Sequence, residues 1–135
     1  MPVQDLKNMS LVSDFARMIG VDRVEAAEGR CSVWLDSKKG AHNPKGDVHG
    51  GALAALCDMA MARAVRSANL ELWGLSTVSL AINYLEPVGG DVTAHARMTK
   101  NGGTLAFAEV EILSGDGARS IHATGVFRKI REKRA

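Results

Sequence analysis

The feature that most constrains the fold is an apolar segment, residues 51–65, which reads GALAALCDMAMARAV. Because it offers almost no polar face, we expect a helix that is buried nearly all round. Asp58 lies in the middle of this segment, and its neighbours at helical spacing are Ala54, Ala55, Met61 and Ala62. None of these side chains can donate a hydrogen bond to it, and burying an unpaired carboxylate costs on the order of several kcal/mol. Either another segment therefore supplies donors to Asp58, or the site is open to a ligand.

Length and charge predict one domain over residues 1–135 with no general affinity for nucleic acid or membrane. A chain of 135 residues that is 46% hydrophobic has room for one modest core, and a formal charge of +2 gives no electrostatic signature. Cys31 and Cys57 lack CxxC spacing, which favours free thiols in a reducing compartment. The sequence shows neither a signal peptide nor a stretch as long as a membrane span, so we expect a cytoplasmic protein.

Helical periodicity predicts two helices. A short N-terminal helix is expected over about residues 10–20, with Ser10 or Ser13 as its cap and Gly20 as its stop. The central helix is expected over about residues 50–68, after an irregular polar loop.

Period-two alternation predicts the strands. Residues 21–36 indicate two strands, turned at Glu28-Gly29. After the central helix the expected faces are Val78, Leu80, Ile82 and Tyr84 on one side, and Thr77, Ser79, Ala81 and Asn83 on the other. Asn101-Gly102-Gly103 predicts a hairpin turn that needs positive φ, and residues 114–117 predict a second hairpin. The basic end, about residues 128–135, is expected to be a solvated tail.

These elements predict an α+β fold, in which an antiparallel sheet of about five to six strands wraps around one long helix. A sheet of this size leaves part of the helix bare. We therefore expect two copies to pair through their sheet edges, which brings the two helices close together.

The run His49-Gly50-Gly51 begins the central helix and is a candidate anion site. The first backbone amides of a helix have no acceptor within it and lie at the positive end of its dipole. An amide such as that of Gly50 could therefore point at a developing oxyanion. Taken alone, Gly-Gly is more readily explained as a helix start against a crowded sheet. Together with Asp58 two turns further on, it supplies an oxyanion donor and a carboxylate, as acyl transfer to water requires.

The segment NPKGDVHGGALAALCDMA carries Asn43, Gly46, the run His49-Gly50-Gly51, Leu56, Asp58 and Ala60. In this order and spacing, followed by STVSLAINYLEPV and GGTLAFAEVEI, it resembles the PaaI-type acyl-CoA thioesterases of the hotdog-fold superfamily. The resemblance extends over about residues 11–129. It implies a single hotdog thioesterase domain.

The resemblance also implies catalytic roles for four residues. Asp58 would act as general base on water or as nucleophile, and the resemblance leaves both roles open. The Gly50 backbone N–H would be the oxyanion donor. Asn43 would orient the water or the thioester, although an Asn before a proline also stabilises loops. Thr77 would hold the water beside Asp58, although it is equally explained as an ordinary strand threonine.

Substrate-binding residues are expected around these four. His49 and Gly51 would support the loop and the Gly50 amide. Arg63 and Arg128 would contact the phosphates of coenzyme A, although single basic residues are usually just solvated. His42, His95 and His122 have no metal-ligand spacing, so no metal and no cofactor beyond the coenzyme A of the substrate is expected.

The resemblance suggests a small aromatic or medium-chain acyl-CoA as substrate. It also suggests a homodimer that completes the active site and a tetramer of two such dimers. Two alternatives remain open: a non-catalytic acyl-CoA-binding hotdog protein, and a hydroxyacyl-thioester dehydratase that would pair His49 with Asp58.

Overall fold

Residues 12–36 and 41–133 are described by the structure, a computed structural model. Their elements, in chain order, are α1 (Asp14–Met18), β1 (Val21–Ala27), β2 (Arg30–Leu35), α2 (Gly50–Ser67), β3 (Gly74–Tyr84), β4 (Val92–Asn101), β5 (Leu105–Ser114) and β6 (Arg119–Ile130). Among the described residues, no helix is both long and apolar enough to cross a membrane.

The six strands form one antiparallel sheet in the order β1-β2-β4-β5-β6-β3. Helix α2 packs on one face of this sheet and contacts all six strands. A single sheet around one long helix, with a short N-terminal helix, confirms the predicted α+β hotdog fold. Strand β3, which follows α2 directly in the chain, is an edge strand with β6 as its one neighbour.

Helix α2 is buried on one face and half-exposed on the other. Its buried residues are Ala52, Leu53, Leu56, Cys57, Ala60, Met61, Ala64 and Val65. The face that carries Asp58 is only partly covered. The expectation of a helix buried nearly all round is therefore wrong for the single chain, because one sheet covers one side of a helix. The expectation that the sheet leaves part of the helix bare is confirmed.

The predicted helices begin and end close to where the sequence placed them. Ser13 caps α1 by accepting a hydrogen bond from the Ala16 amide (3.1 Å), and Gly20 ends this segment with φ of 103°. Ser10 lies outside the described residues, and the helix, Asp14–Met18, is shorter than the predicted 10–20. Helix α2 ends one residue before the predicted position.

The glycine-rich turn after β4 is a hairpin, but its glycine is needed for a different reason than predicted. Neither Gly102 nor Gly103 has positive φ. A Cβ on Gly102 would lie 2.5 Å from the Leu105 carbonyl oxygen, so this position requires glycine for close approach. In the second hairpin Gly117 does adopt positive φ, at 85°.

The basic end is ordered further than predicted. Strand β6 continues through Ile130, where Ile130 pairs with Gly74 and Arg128 pairs with Ser76. The prediction of a tail from residue 128 is therefore wrong for residues 128–130, because they complete the pairing with β3. Residues 134 and 135 lie outside the described range.

Candidate active site

A β-bulge in β3 determines which side chains face α2. Thr77 pairs with Phe127 and Ser79 pairs with Val126, so Val78 has no partner on β6 and is 54% exposed. The extra residue shifts the alternation by one. Thr77 before the bulge and Leu80 after it consequently point to the same inner face. The prediction that they lie on opposite faces is wrong because the pattern assumed a regular strand.

Thr77 supplies the donor that Asp58 lacks within its own helix. The Thr77 Oγ1 hydroxyl donates to Asp58 Oδ1 at 2.8 Å. Asp58 is half-buried, and its Oδ2 has no hydrogen-bond partner among residues 12–36 and 41–133. Another segment therefore supplies a donor to one oxygen of this carboxylate, as the sequence analysis allowed, and the other oxygen stays open to a ligand. A water molecule can bind between the free carboxylate oxygen and the lone pairs of the Thr77 hydroxyl.

His49 caps the N-terminus of α2. Its Nδ1 accepts a hydrogen bond from the Gly51 N–H at 2.8 Å, so the ring must carry its proton on Nε2. The His49 backbone N–H donates to the Ala41 carbonyl (2.6 Å), and its C=O accepts from the Leu53 N–H (3.1 Å). A Cβ on Gly51 would lie 3.0 Å from His49 Nδ1, so a larger residue would displace the ring. His49 and Gly51 thus bond to each other, and their predicted contact with substrate stays a prediction.

The cap leaves the Gly50 N–H available. It has no acceptor among the described residues, and it lies at the positive end of an 18-residue helix. Next to it, Tyr84 Oη donates to the Gly50 carbonyl at 2.7 Å. Burial, and secondarily the Cys57 thiol, raise the pKa of Tyr84, so its hydroxyl keeps the proton that it donates. Tyr84 was not predicted as a site residue, although it stands in the conspicuous NYLEP segment at the end of β3.

Asn43 organises the loop before α2. Its Oδ1 accepts from the Lys45 N–H (2.9 Å) and the Asp47 N–H (3.2 Å), and its own N–H donates to the Asp47 carbonyl (2.7 Å). Its side-chain NH₂ has no partner in the described part of the chain, so one end of the amide remains for a ligand. Asn43 and Gly50 line a common cleft of about 260 Å³, together with Leu53, Tyr84 and Val88.

Within one chain the four predicted catalytic residues form two separate pairs. Asp58 follows Gly50 by eight residues on α2, which corresponds to about 12 Å along the helix axis. Asp58 also does not line the cleft of Asn43 and Gly50. The pairs are therefore Asp58 with Thr77 and Asn43 with Gly50. His49 precedes Asp58 by nine residues, which corresponds to about 13 Å along the helix axis, so a single chain does not form the His–Asp pair of the dehydratase alternative.

The two predicted phosphate-binding arginines lie on different elements. Arg63 is on α2, where burial lowers its pKa, an effect that the nearby Cys31 thiol opposes and Arg66 reinforces. Arg128 is exposed on β6. It follows Phe127, whose side chain is fully buried on the inner face, so Arg128 projects from the outer face of the sheet. One chain thus does not bring Arg128 together with Asp58.

The two cysteines are free and buried, as predicted. Burial, reinforced by Asp58, raises the pKa of Cys57 to about 12. Burial also raises the pKa of Cys31 to about 12, against the opposing effect of Arg63. Both thiols stay protonated at neutral pH, so the buried Cys57 lacks the thiolate form that a nucleophilic cysteine needs. The described residues contain no group of three or more His, Cys, Asp or Glu side chains arranged to hold a metal ion.

Residues 45–121 match the family model of the thioesterase superfamily, a segment that contains Gly50, Asp58 and Thr77. This chain belongs to the thioesterase superfamily. The resemblance noted in the sequence is thereby confirmed, as is the prediction of a thioester hydrolase.

Known proteins similar to this thioesterase agree with that assignment. A Halobacterium salinarum protein with a provisional esterase name is 36% identical over 101 residues, 71% of this chain and 67% of its own length. Human acyl-coenzyme A thioesterase 13 is 31% identical over 110 residues, 79% of this chain and 78% of its own. A variant of the phenylacetic acid degradation protein PaaI from Thermus thermophilus superimposes with a TM-score of 0.78 at 26% identity, covering 87% of this chain and all of the other.

Proposed function

We propose that this thioesterase hydrolyses a small aromatic or medium-chain acyl-CoA to the free acid and coenzyme A. The observation that carries the proposal is the hydrogen bond from Thr77 to Asp58, since it fixes one carboxylate oxygen and leaves the other free beside a hydroxyl. The name of the human relative, an acyl-coenzyme A thioesterase, supports coenzyme A as the leaving group. The PaaI protein among the similar structures supports an aromatic acyl group, since its name places it in phenylacetic acid degradation.

The chemistry follows from these groups. The thioester carbonyl oxygen accepts a hydrogen bond from the Gly50 N–H, and the side-chain NH₂ of Asn43 orients the thioester or the attacking water. As general base, Asp58 takes a proton from a water that Thr77 holds, and the hydroxide adds to the carbonyl carbon. The tetrahedral intermediate then expels coenzyme A as thiol, with the proton from Asp58. As nucleophile, Asp58 would instead attack the carbonyl carbon, expel coenzyme A as thiolate and form a mixed anhydride, which water then hydrolyses to the free acid and the Asp58 carboxylate.

Two copies of the chain complete the site. Because Gly50 and Asp58 lie about 12 Å apart along one helix, they cannot act on the same carbonyl group within a chain. Strand β3 presents an unpaired edge of 11 residues, with half-exposed Val78 and Tyr84 in the strand and Leu85 just after it. Pairing of two β3 edges about a two-fold axis buries these side chains and the bare faces of both helices. Asp58 and Thr77 of one protomer then meet Asn43 and Gly50 of its partner.

Arg63 and Arg128 stay candidates for binding the phosphates of coenzyme A. The acyl-CoA substrate is extended, so in a two-chain site it can reach residues far from the reacting carbon. A tetramer of two such dimers stays a prediction by analogy.

The substitution Asp58→Asn tests the proposal. An asparagine keeps the shape of the side chain and can still accept from Thr77, but it can neither take a proton nor attack. We expect kcat on a good acyl-CoA substrate to fall at least roughly 100-fold. Asp22→Asn is the matched control, because Asp22 is exposed on β1, the opposite edge strand, and loses the same charge. Thiol release from a panel of aromatic and medium-chain acyl-CoAs measures both variants.

Near-normal kcat for Asp58→Asn would contradict the catalytic assignment. Binding of acyl-CoA by the wild-type protein without thiol release from any member of the panel would instead support the non-catalytic alternative. A single turnover in ¹⁸O-labelled water tests for the nucleophilic role of Asp58. The general base places the label only in the product acid, as does a mixed anhydride that water attacks at the acyl carbon, whereas attack at the Asp58 carboxyl carbon places the label in Asp58, so label in Asp58 would establish the nucleophile.

A further inference from the structure

The peptide group between Gly50 and Gly51 is held at both of its polar ends. At one end, the Gly50 carbonyl accepts the hydrogen bond from Tyr84 Oη at 2.7 Å. At the other, the Gly51 N–H donates to His49 Nδ1 at 2.8 Å. The two side chains come from different parts of the chain, one from the end of β3 and one from the start of α2. Together they fix the orientation of this peptide plane.

This arrangement excludes one amide of the first helical turn as an oxyanion donor. The Gly51 N–H is occupied by His49 and cannot serve as an oxyanion donor at the same time. The Gly50 N–H belongs to the adjacent peptide group, whose direction depends on the backbone dihedrals of Gly50. Glycine has the widest choice of such dihedrals, so its backbone orients a donor well only when neighbouring groups hold it. Tyr84 is the neighbour that holds the carbonyl side of Gly50.

Contacts of the ring reinforce the hydrogen bond. A Cβ on Gly50 would lie 3.5 Å from Tyr84 Cε1, which shows that the ring lies directly against the glycine backbone. Tyr84 also lines the cleft that Gly50 and Asn43 share. Its strand is the one that carries Thr77, so β3 contacts α2 at both functional positions of the helix.

We propose that Tyr84 is a positioning residue, which directs the Gly50 N–H toward the thioester oxygen by holding the Gly50–Gly51 peptide group. This inference rests on the proposed thioesterase mechanism. Tyr84 itself donates to the backbone and does not touch the reacting atoms. Its contribution is to keep the donor in place before the transition state forms, so that no reorganisation is needed when charge develops on the oxygen.

The variant Tyr84→Phe tests the inference, because it deletes one hydroxyl and keeps the ring that packs on Gly50. We expect kcat to fall roughly tenfold with KM changed less than about twofold, since the loss affects the transition state more than ground-state binding. The matched control is Thr124→Val, which deletes an exposed hydroxyl on β6.

Infrared spectroscopy supplies the second measurement. A CoA analogue in which CH₂ replaces the thioester sulfur gives a bound ketone, and its C=O stretch moves to lower frequency in proportion to donation from the Gly50 N–H.

In Tyr84→Phe we expect this frequency shift to be smaller than in wild type and in Thr124→Val. An unchanged kcat and an unchanged C=O frequency would overturn the inference, as would a loss of thermal stability alone.

Failure of this inference is distinguishable from failure of the proposed function. If wild type is active and Asp58→Asn is inactive while Tyr84→Phe matches wild type, only the positioning role is wrong. If wild type hydrolyses no acyl-CoA, the proposed function fails and the positioning role fails with it.

Discussion

At the scale of single residues, the central observation is that Asp58 obtains its hydrogen-bond donor from Thr77, 19 positions further along the chain. Asp58 could be singled out from sequence, because a lone carboxylate in an apolar helix demands a physical explanation. Its partner could not be derived from helical spacing, since none of the helical neighbours is polar. The family resemblance was the signal that placed Thr77 beside it.

The hydroxyl of Thr77 gives the first prediction. Thr77→Val keeps the branched shape but removes the donor to Asp58, so we expect kcat to fall roughly tenfold, as for loss of one hydrogen bond to a charged group. Thr77→Ser retains the hydroxyl and should stay within about threefold of wild type. Steady-state thiol release measures both variants. Equal activity of the Val and Ser variants would show that the contact with Asp58 has no catalytic role.

The roles of two other residues, Asn43 and Tyr84, could be predicted from sequence only in part or not at all. The sequence allows two roles for Asn43, as loop stabiliser and as substrate amide, and its two ends divide between them: Oδ1 serves the loop and the NH₂ is free. Period two explains Tyr84 as an ordinary inward-facing residue and gives no reason to assign it to the site. Its bond to Gly50 joins positions 34 residues apart, and no local pattern reports such a contact.

At the scale of elements, the arrangement of α2 on the sheet depends on close approach to β6. A Cβ on Gly125 would lie 2.9 Å from both Met61 Cε and Phe127 Cε2. Because Met61 is fully buried on α2 and Gly125 lies on the inner face of β6, this glycine lets the helix rest directly on the strand. The distance between helix and sheet in turn sets how far Thr77 on the adjacent β3 must reach to Asp58.

Substitution of this glycine gives the second prediction. Gly125→Ala should lower the free energy of unfolding by about 1–3 kcal/mol, as for overpacking of a well-filled core. Gly74→Ala is the control, since a Cβ at the start of β3 would meet no atom within 4 Å. Urea denaturation followed by circular dichroism measures both. A Gly125→Ala variant as stable as the control would mean that the helix does not pack as closely as described.

The bulge in β3 shows why the sequence predicted the order and type of the elements correctly but assigned Thr77 to the wrong face of its strand. Alternation of Leu80, Ile82 and Tyr84 identified the strand correctly. The extra residue Val78 carries no distinctive sequence signal, yet it changes the face of every residue before it. Without the bulge, Thr77 would point away from α2. The site thus depends on an irregularity that a periodic pattern cannot represent.

At the scale of the whole molecule, the single chain carries two separate pairs of candidate residues, which the proposed dimer would join. Asp58 with Thr77 and Asn43 with Gly50 are separated along α2, the helix face around Asp58 is half-exposed, and β3 is an unpaired edge. The sequence predicted the partly bare helix from the size of the sheet, and the structure confirms it. The residues that the proposed dimer would bring together could not be read from the sequence, because a contact between copies leaves no periodic trace.

Complementation between two inactive variants tests whether each site is shared between two chains. One variant is Asp58→Asn. The other is Gly50→Val, in which the branched side chain fills the cleft beside the amide, with Asn43→Ala as a substitute if the valine variant does not fold. The two proteins are mixed, unfolded together and refolded, and thiol release is compared with that of each variant refolded alone. If each site combines Asp58 of one chain with Gly50 of the other, random pairing makes about half of the dimers mixed, each with one intact site, and about a quarter of wild-type activity returns. No recovery from a mixture that forms dimers normally would show that each site lies within a single chain and would contradict the account.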